Sequence, residues 1–264
     1  MSFGIILIYM SRLSFPFGHY FPNDGDDQTP SDVAIVMPSI IRRSLYRTLD
    51  SIFRQDFSGR LQILVGIDRP SDSLESLFKF LEMRPRNHSV LVLHLPFSTA
   101  VRNGGLHLPS DGGSLRASLS LIANARYIAF LDDDNAWRSD HISKLYARMS
   151  GCAWAFSYRM LVTDDDYSEL AIDQWDSVGP NRGRFKSSGG FVDPNCLMID
   201  KVALTSVLSR WADTGTGAPG VIADRHFFDA IKDTPFAEIA EATVLYTIRK
   251  SNILHQFMQS KTQF

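Results

Sequence analysis

Short, unbroken apolar runs recur along the first half of the chain, and segments with helical spacing of apolar residues separate them. Runs of this kind are typical of strands that are buried on both faces of a parallel sheet. The predicted strands are VAIVM (33–37, ended by Pro38), LQILVGI (61–67), SVLVLHL (89–95) and YIAFL (127–131). The predicted helices are 45–55, 72–82 and the segment that contains Leu115, Leu119 and Ile122. This alternation predicts an α/β fold with a mostly parallel central sheet flanked by helices.

The second half of the chain is less regular. The expected strands are 152–162, 196–199 and 243–248, and the expected helices are 139–149, 201–211 and 223–232. The polar stretch 163–190 contains several glycines and predicts a long loop, and loops of that length inside a domain often carry function. Because no linker interrupts the pattern after Asp32, we expect a single continuous domain over residues 32–264.

An apolar segment and a polar stretch precede this domain. Phe3 to Met10 is an unbroken apolar run of about half the length that a membrane span needs. The basic region and cleavage site of a secretion signal do not accompany it. We therefore expect residues 1–31 to be a hydrophobic lead-in and linker, and the protein to be cytoplasmic without a transmembrane span. A peripheral membrane contact is the alternative interpretation of the apolar run.

Composition excludes several classes of protein. Of 264 residues, 44% are hydrophobic and 21% are charged, as in an ordinary globular protein rather than a disordered or fibrous one. The net charge of −2 gives no reason to expect a nucleic-acid partner. The two cysteines, Cys152 and Cys196, are too few for a disulfide scaffold or a cysteine-based zinc site.

Three consecutive aspartates, Asp132–Asp134, directly follow the fourth predicted strand. In parallel α/β sheets, ligands bind at the carboxyl ends of the strands. Two carboxylates about 4 Å apart repel by roughly 1 kcal/mol in water and by about 4 kcal/mol at an effective dielectric constant of ~20, and a cation removes that cost. Because all-oxygen ligands favour Mg²⁺ or Mn²⁺, the cluster predicts a metal site. A solvated acidic turn is the alternative, since aspartate also favours turns.

The order of these motifs resembles the opening of family-two glycosyltransferases, which have the GT-A type of nucleotide-diphospho-sugar transferase fold. The shared features of VAIVMPSIIRRSLYRTLDSIFRQDFSGRLQILVGID are a buried strand, Pro38-Ser39, a helix that ends in Gln, a second strand and Asp68. The stretch LRASLSLIANARYIAFLDDDNAW is similar to the family's arginine-bearing helix, fourth strand and DxD motif. Arg116 stands at the family's usual spacing before that motif. The resemblance covers about residues 32–150.

This resemblance implies that a nucleotide-sugar lies across the ends of the first four strands, in the half of the domain at 32–138. The residues it implies for nucleotide-sugar binding are Pro38, Ser39, Asp68, Arg102, Arg116, Asp132 and Asp133. A carboxylate only accepts hydrogen bonds, so Asp68 suits the imide N–H of uracil, and a UDP-sugar is the expected donor. The alternatives are a helix cap near residue 72 for Asp68 and an exposed helix position for Arg116.

The resemblance also implies a metal ion and a general base. Asp134, the second acid of the DxD motif, would bind Mn²⁺ or Mg²⁺, which bridges the two phosphates of the donor. The family's late histidine ligand is matched by His255, with His226 as its rival. A neutral hydroxyl is a poor nucleophile, so transfer needs a base. In GVIADRHFFDAI that base is Asp224, which implies inversion at the anomeric carbon; an ordinary helix cap is the alternative.

The half of the domain at 139–264 is expected to bind the acceptor. Trp175, Phe191 and Asp193 are candidates for contact with acceptor or donor sugar, because aromatic faces stack on sugars.

The predicted function is that of a metal-dependent, hexosyltransferase-like glycosyltransferase of polysaccharide or glycoconjugate biosynthesis. Its acceptor would be a glycan, a lipid-linked molecule or a small molecule. The alternatives are a nucleotidyltransferase that makes nucleotide-sugars and a nucleotide- or sugar-binding domain without catalysis; Ala223 stands where the family has Glu.

Overall fold

The computed structural model describes residues 13–15, 17–26, 28–68, 74–108, 112–213 and 223–249. The strands are β1 (Leu13–Phe15), β2 (Gly18–Phe21), β3 (Ser31–Ser39), β4 (Leu61–Ile67), β5 (His88–His94), β6 (Ala125–Phe130), β7 (Ala136–Trp137), β8 (Trp154–Thr163), β9 (Glu169–Ile172), β10 (Gly179–Pro180), β11 (Gly190–Phe191), β12 (Leu197–Asp200) and β13 (Phe236–Ile248). The helices are α1 (Leu45–Phe53), α2 (Glu75–Leu81), α3 (Gly113–Ile122), α4 (His141–Tyr146) and α5 (Ala223–Ile231). Among these helices, none is long and apolar enough to cross a membrane. The apolar run Phe3–Met10 and His255 lie outside the described residues.

The main sheet is mixed, which corrects the prediction of a mostly parallel sheet. Its strand order is β1-β2-β5-β4-β3-β6-β12-β8-β13-β7, with β9 paired to β8. The block β5-β4-β3-β6 is parallel, as the alternation of strands and helices predicts. In contrast, β12 runs antiparallel to both β6 and β8, and β2 runs antiparallel to β5. Parallel neighbours need a long crossover, usually a helix, and the irregular second half builds much of its share of the sheet with loops instead.

Strand β3 continues through Pro38 instead of ending before it. Pro38 stays in register with Gly66 of β4, whereas the pairing of β3 with β6 extends only to Val36. A proline lacks an N–H and is tolerated where one side of the strand has no partner. The three residues past Val36 therefore lie at a sheet edge that is already open on the β6 side.

Residues assigned to the lead-in on sequence grounds contribute an edge to the sheet. Strand β2 (Gly18–Phe21) pairs with β5, and Phe21 is fully buried against the core. The polar residues after it lead into β3, which begins at Ser31.

The stretch 163–190 is more ordered than the predicted loop. It holds β9, β10 and a 3-10 helix over 183–188, and Gly190 at its end begins β11, the antiparallel partner of β10. The predicted helix 201–211 is a 3-10 helix over 205–212, and β13 is longer than predicted, with register shifts between Ile239 and Val244. Strands as short as β9, β10 and β11 contain too few apolar positions to show a period in the sequence.

The parallel relation of the strands places several chain segments at one sheet edge. Strands β3, β4, β6, β8 and β13 all run in the same direction, so their carboxyl ends share this edge. Because β12 runs the opposite way, its amino end meets them there. The residues at or next to these strand ends therefore converge, namely Ser39, Asp68, Asp132, Asn195 and Arg249.

Two glycines allow α3 to approach this edge closely. Gly112 has a φ of +81°, and a Cβ there would lie 2.5 Å from the Cβ of Pro38. A Cβ on Gly113 would lie 2.1 Å from the carbonyl oxygen of Trp211 and 2.8 Å from the Cβ of Ala223. Glycine at both positions thus brings the first turn of α3 against the end of β3 and the start of α5.

Candidate active site

A cleft of about 360 Å³ opens at the shared sheet edge. Its floor is formed by the ends of β3, β4 and β6, and its walls by the first turn of α3 and the end of β13. Several sequence candidates line it together, namely Pro38, Ser39, Asp68, Arg116, Asp132, Asp133 and Asp134. Open α/β sheets bind ligands at this position, where the connections from the central strand diverge to both sides.

Asp132 is held from two sides. Arg116 of α3 is ion-paired with Oδ1 of Asp132, and Arg116 is only 3% exposed. The side-chain amide of Asn195 donates to Oδ2 at 3.0 Å, while its carbonyl oxygen accepts from the backbone N–H of Asp132 at 2.7 Å. Arg116 is therefore part of the site and not an exposed helix arginine.

Asp133 is buried and organises the turn after β3. Its Oδ2 accepts from the hydroxyl of Ser39 at 2.8 Å and from the backbone N–H of Ile40 at 3.3 Å. Its Oδ1 pairs with Arg42 at 2.7 Å. Ile41, in the same turn, has a φ of +60°, which costs a β-branched residue about 1–3 kcal/mol. At 2% exposure Asp133 cannot belong to a solvated acidic turn.

Asp134 receives two arginines on a single oxygen. Oδ2 accepts from Arg42 at 3.1 Å and from Arg249, just after β13, at 2.8 Å. Thr247 fixes the backbone below, since its hydroxyl donates to the carbonyl oxygen of Asp134 at 2.6 Å. Burial and the neighbouring Asp132 carboxylate raise the pKa of Asp134, and Arg42 opposes them. Arg249 at the end of β13 opposes them as well.

Asp68 lies in the cleft and holds a loop. Its two oxygens accept from the hydroxyl of Ser98 at 2.7 Å and from the backbone N–H of Thr99 at 2.6 Å. The next described helix begins at Glu75, so Asp68 does not cap it. The loop continues to Asn103, which lines the cleft. Arg102 precedes Asn103 in a short 3-10 turn; its side chain lies outside the described part of the chain.

The remaining catalytic candidate is on α5, beside the cleft. Asp224 is half-buried in the first turn, and its Oδ1 accepts from the N–H of Arg225 at 2.7 Å. Ala223 before it packs against Gly113 at the start of α3. His226, on the same helix, has a buried Nε2 that makes no hydrogen bond within the described residues. Neither side chain lines the 360 Å³ cleft.

The three sugar candidates lie in different settings. Asp193 is 6% exposed, pairs with Arg159 at 2.6 Å, and accepts from the amide of Asn195 at 2.6 Å. Phe191 is 4% exposed and packs in the core. Trp175 is half-buried, with the guanidinium of Arg184 4.6 Å from its ring centre. Of the three, Trp175 is the one whose ring is partly accessible.

Comparison with known proteins shows the fold. No protein-family model matches the chain, and no curated protein matches it in sequence. The described fold is similar to that of TarS from S. aureus. The structure of TarS residues 1–349 superposes with a TM-score of 0.60 at 12% identity, covering 82% of this chain and 60% of that one.

TarS has also been solved with bound ligands. The complex of residues 1–349 with UDP-GlcNAc matches with a TM-score of 0.59 at 13% identity, over 85% of this chain and 60% of TarS 1–349. The complex with UDP matches with a TM-score of 0.55 at 12% identity, over 82% of this chain. The chain spans about 60% of the length of TarS 1–349. At such identities the likeness shows the α/β fold and no more.

The metal ion that the resemblance implies would bind at Asp134, which has one open carboxylate oxygen. Oδ1 of Asp134 accepts no hydrogen bond from the described residues, whereas Oδ2 is shared by two arginines. Mg²⁺ and Mn²⁺ often keep several waters and bind substrate phosphates, so one open carboxylate oxygen suffices. Across the described part of the chain, no group of three His, Cys, Asp or Glu could hold a metal by itself. The residues fit an ion that takes most of its ligands from phosphate and water.

Sequence reasoning missed several polar residues of this site, among them Arg42, Asn195 and Arg249. Arg42 lies in PSIIRRS directly after the first strand, so its position at a strand end was a usable signal. Arg249 follows the last strand in the same way, but nothing in the sequence shows that β13 runs parallel to β8. Asn195 meets Asp132 because β12 is antiparallel, and the mostly parallel prediction concealed that contact.

Proposed function

We propose that the protein is a metal-dependent glycosyltransferase of the GT-A type, similar to family two, that uses a UDP-sugar donor. Asp132–Asp134 carries this proposal, because the three residues stand at the carboxyl end of β6 in a cleft beside the ends of β3 and β4. The similarity to TarS, solved with UDP-GlcNAc and with UDP, supports a nucleotide-sugar as the ligand of this cleft. The acceptor is a hydroxyl of a glycan, a lipid-linked molecule or a small molecule.

In this proposal the nucleotide occupies the cleft between β3, β4 and α3. Pro38, Ser39 and Asp68 contact base and ribose, with Arg102 on the neighbouring loop. Asp132 and Asp133 position the ribose side of the site, and both are rigidly held by Arg116 and by Ser39. The amino end of α3 adds a positive helix dipole at the cleft wall, which favours a diphosphate.

Asp134 is the described residue that would hold Mn²⁺ or Mg²⁺, with His255 as a further ligand candidate. The bound ion would neutralise charge on the departing nucleoside diphosphate. The chain's own contribution is the pairing of Arg42 and Arg249 with Asp134, which opposes the rise in its pKa that burial causes.

Asp224 is the proposed general base. Its carboxylate takes the proton of the acceptor hydroxyl while that oxygen bonds to the anomeric carbon. The bond from that carbon to the diphosphate oxygen breaks, and its electron pair leaves with UDP, so the configuration inverts. Support comes from the position of Asp224 in the first turn of α5, which packs on the start of α3 through Ala223. Trp175 is the acceptor-side candidate, while Phe191 and Asp193 are buried.

The proposal is tested by thermal unfolding with UDP, GDP, CMP and dTDP, each with and without Mn²⁺. A ligand that binds only the folded state raises the melting temperature. We expect a metal-dependent increase for UDP that Asp134→Ala abolishes and Asp50→Ala preserves, because Asp50 pairs with Arg54 on the surface away from the cleft. No increase with any nucleotide would contradict a nucleotide-sugar site.

Turnover separates the transferase from the alternatives. Release of UDP from UDP-sugars, with Mn²⁺ and candidate hydroxyl acceptors, should be lost in Asp134→Ala and in Asp224→Asn. A protein that binds UDP but never releases it from any UDP-sugar would be a binding domain. Formation of a nucleotide-sugar from a nucleoside triphosphate and a sugar phosphate would identify a nucleotidyltransferase.

A further inference from the structure

Two arginines of the cleft are placed differently from the third. The side chains of Arg42 and Arg249 are 38% and 48% exposed, whereas that of Arg116 is 4% exposed. Arg42 comes from the turn after β3 and Arg249 from the end of β13, and both donate to the same atom, Oδ2 of Asp134. One anionic oxygen between two half-exposed guanidinium groups has the geometry with which arginines hold a phosphate oxygen.

The three consecutive aspartates are matched by three arginines without a ligand, while Asp68 is held by Ser98 and Thr99. Asp132, Asp133 and Asp134 face Arg42, Arg116 and Arg249, and every one of these carboxylates has an arginine partner. A nucleoside diphosphate that binds in the cleft adds negative charge, and the arginines that could pair with it are already paired with aspartates. It can gain them only if another cation takes over Asp134.

We propose that Arg42 and Arg249 are an exchangeable diphosphate-binding pair. They neutralise Asp134 in the donor-free protein and transfer to the diphosphate when a divalent cation takes their place on that carboxylate. This inference rests on the proposed function and adds two donor-binding residues to it.

The surroundings confine the exchange to side chains. Thr247 ties the backbone of Asp134 to the end of β13, through its hydroxyl at 2.6 Å, and Arg47 donates to that hydroxyl at 3.1 Å. In the turn after β3, which carries Arg42, the hydroxyl of Ser39 donates to Asp133 and accepts from the N–H of Ile41 at 2.9 Å. The two guanidinium groups can therefore change partner while their backbones stay in place.

Exchange predicts effects of opposite sign on two ligands. Without Arg42 or Arg249, a divalent cation has less competition for Asp134, so its binding alone should tighten. The diphosphate loses a cationic partner, so its binding in the presence of metal should weaken. Arginines that only stabilise the fold of the cleft would not give this combination.

The test uses the full chain and the variants Arg42→Gln, Arg249→Gln and Arg138→Gln. Mn²⁺ binding alone is measured from the electron paramagnetic resonance signal of free Mn²⁺, and UDP binding at saturating Mn²⁺ by calorimetry. We expect each cleft variant to weaken UDP binding by at least about tenfold and to tighten Mn²⁺ binding by at least about threefold. Arg138 is the matched control, since it is 41% exposed and pairs with Glu169 outside the cleft.

The outcomes separate the two claims. If the unmodified protein binds no nucleoside diphosphate at all, the proposed function fails and this inference falls with it. If it binds UDP with Mn²⁺ but the cleft variants bind UDP as well as Arg138→Gln does, the exchange is overturned and the proposed function stands. Weaker or unchanged Mn²⁺ binding in the cleft variants also overturns the exchange.

Discussion

Two arginine–aspartate clusters lie on neighbouring parts of the sheet and differ in depth. In the interior, Arg159 is 1% exposed and pairs with Asp173, Asp176 and Asp193 at 2.6–2.8 Å. Its guanidinium also lies 3.9 Å from the ring centre of Tyr246. In the cleft, Arg42 is 38% exposed, pairs with Asp133 and shares the Asp134 carboxylate with Arg249. The same residue types thus form one cluster with fixed partners and one with partners that water can replace.

Depth decides what each cluster can do. Burial acts against the charge of Arg159, but Asp193 and the other carboxylates outweigh it and raise the pKa of Arg159 well above its ordinary value. Removing one partner of a buried ion pair leaves charge without compensation, whereas exposed pairs are screened. We conclude that the interior cluster holds the loop 173–193 in place, and that the cleft cluster is available for ligand exchange.

The largest expected effect is that of breaking the interior cluster. Arg159→Gln leaves three carboxylates without their shared cation and should lower the free energy of unfolding by about 3–5 kcal/mol. Urea denaturation measures this. Arg182→Gln is the control, because Arg182 pairs with Glu238 at 2.7 Å but is 42% exposed. If both variants lose the same small amount, the interior cluster has no structural role beyond a surface pair.

A buried histidine, His141, has no counter-ion among the described residues and gives a pH-dependent prediction. His141 is fully buried, and its Nδ1 lies 2.6 Å from the hydroxyl of Thr243. Burial lowers the pKa of His141 from 6.5 to about 3. Between those values the unfolded chain binds a proton that the folded protein does not, so this contribution to stability is present above pH 6.5 and is lost as the pH falls toward 3.

The measurement is the free energy of unfolding between pH 7 and 5. Below its ordinary pKa, His141 should contribute a loss of about 1.4 kcal/mol per pH unit, which His141→Gln removes. His88 adds a slope of the same sign, since burial lowers its pKa to about 4. His107→Gln, at an exposed position, serves as the control. Curves for His141→Gln and the unmodified protein that remain parallel would contradict the assignment.

Asn195 joins the two clusters, and its removal should have an intermediate effect. Its amide donates to Asp132 of the cleft at 3.0 Å and to Asp193 of the interior at 2.6 Å. Asn195→Ala leaves both acceptors short of a partner and should cost about 1–3 kcal/mol of stability. It should also weaken UDP binding, because Asp132 loses its hydrogen bonds to the Asn195 side chain and is then held by Arg116 alone among its side-chain partners. Unchanged UDP binding in a destabilised variant would show that the link does not reach the donor site.

The part of the site that the first half of the chain forms could be predicted from the sequence, because the apolar pattern there follows the order of strands and helices in the fold. Strand 61–67 is observed as predicted, and Asp132–Asp134 follow β6 into the cleft beside Arg116. An unbroken apolar run identifies a buried strand without knowledge of its neighbours, and its carboxyl end then locates the ligand site.

The second half was not readable in this way because its contacts depend on strand direction. Asn195 and Arg249 reach the cleft through the antiparallel β12 and the parallel β13, and no residue pattern records either direction. The strands within 163–190 have only two to four residues, and Arg159 pairs with Asp173 and Asp176 of the same stretch, whose charged residues indicate a loop in the sequence. Long-range electrostatics, and not periodicity, shapes this part of the protein.

The smallest expected effect on stability is that of removing Arg42 from the cleft cluster. Arg42→Gln removes a half-exposed arginine whose partner Asp134 keeps Arg249, and whose partner Asp133 keeps two hydrogen bonds from the turn after β3. Stability should therefore change by no more than about 1 kcal/mol at neutral pH, as measured by urea denaturation. Repeating the measurement in 0.5 M NaCl, about three times physiological ionic strength, should shrink the difference further, since salt screens exposed pairs. A loss as large as that of Arg159→Gln would mean that Arg42 is a fixed structural cation, and the distinction between a permanent and an exchangeable cluster would fail.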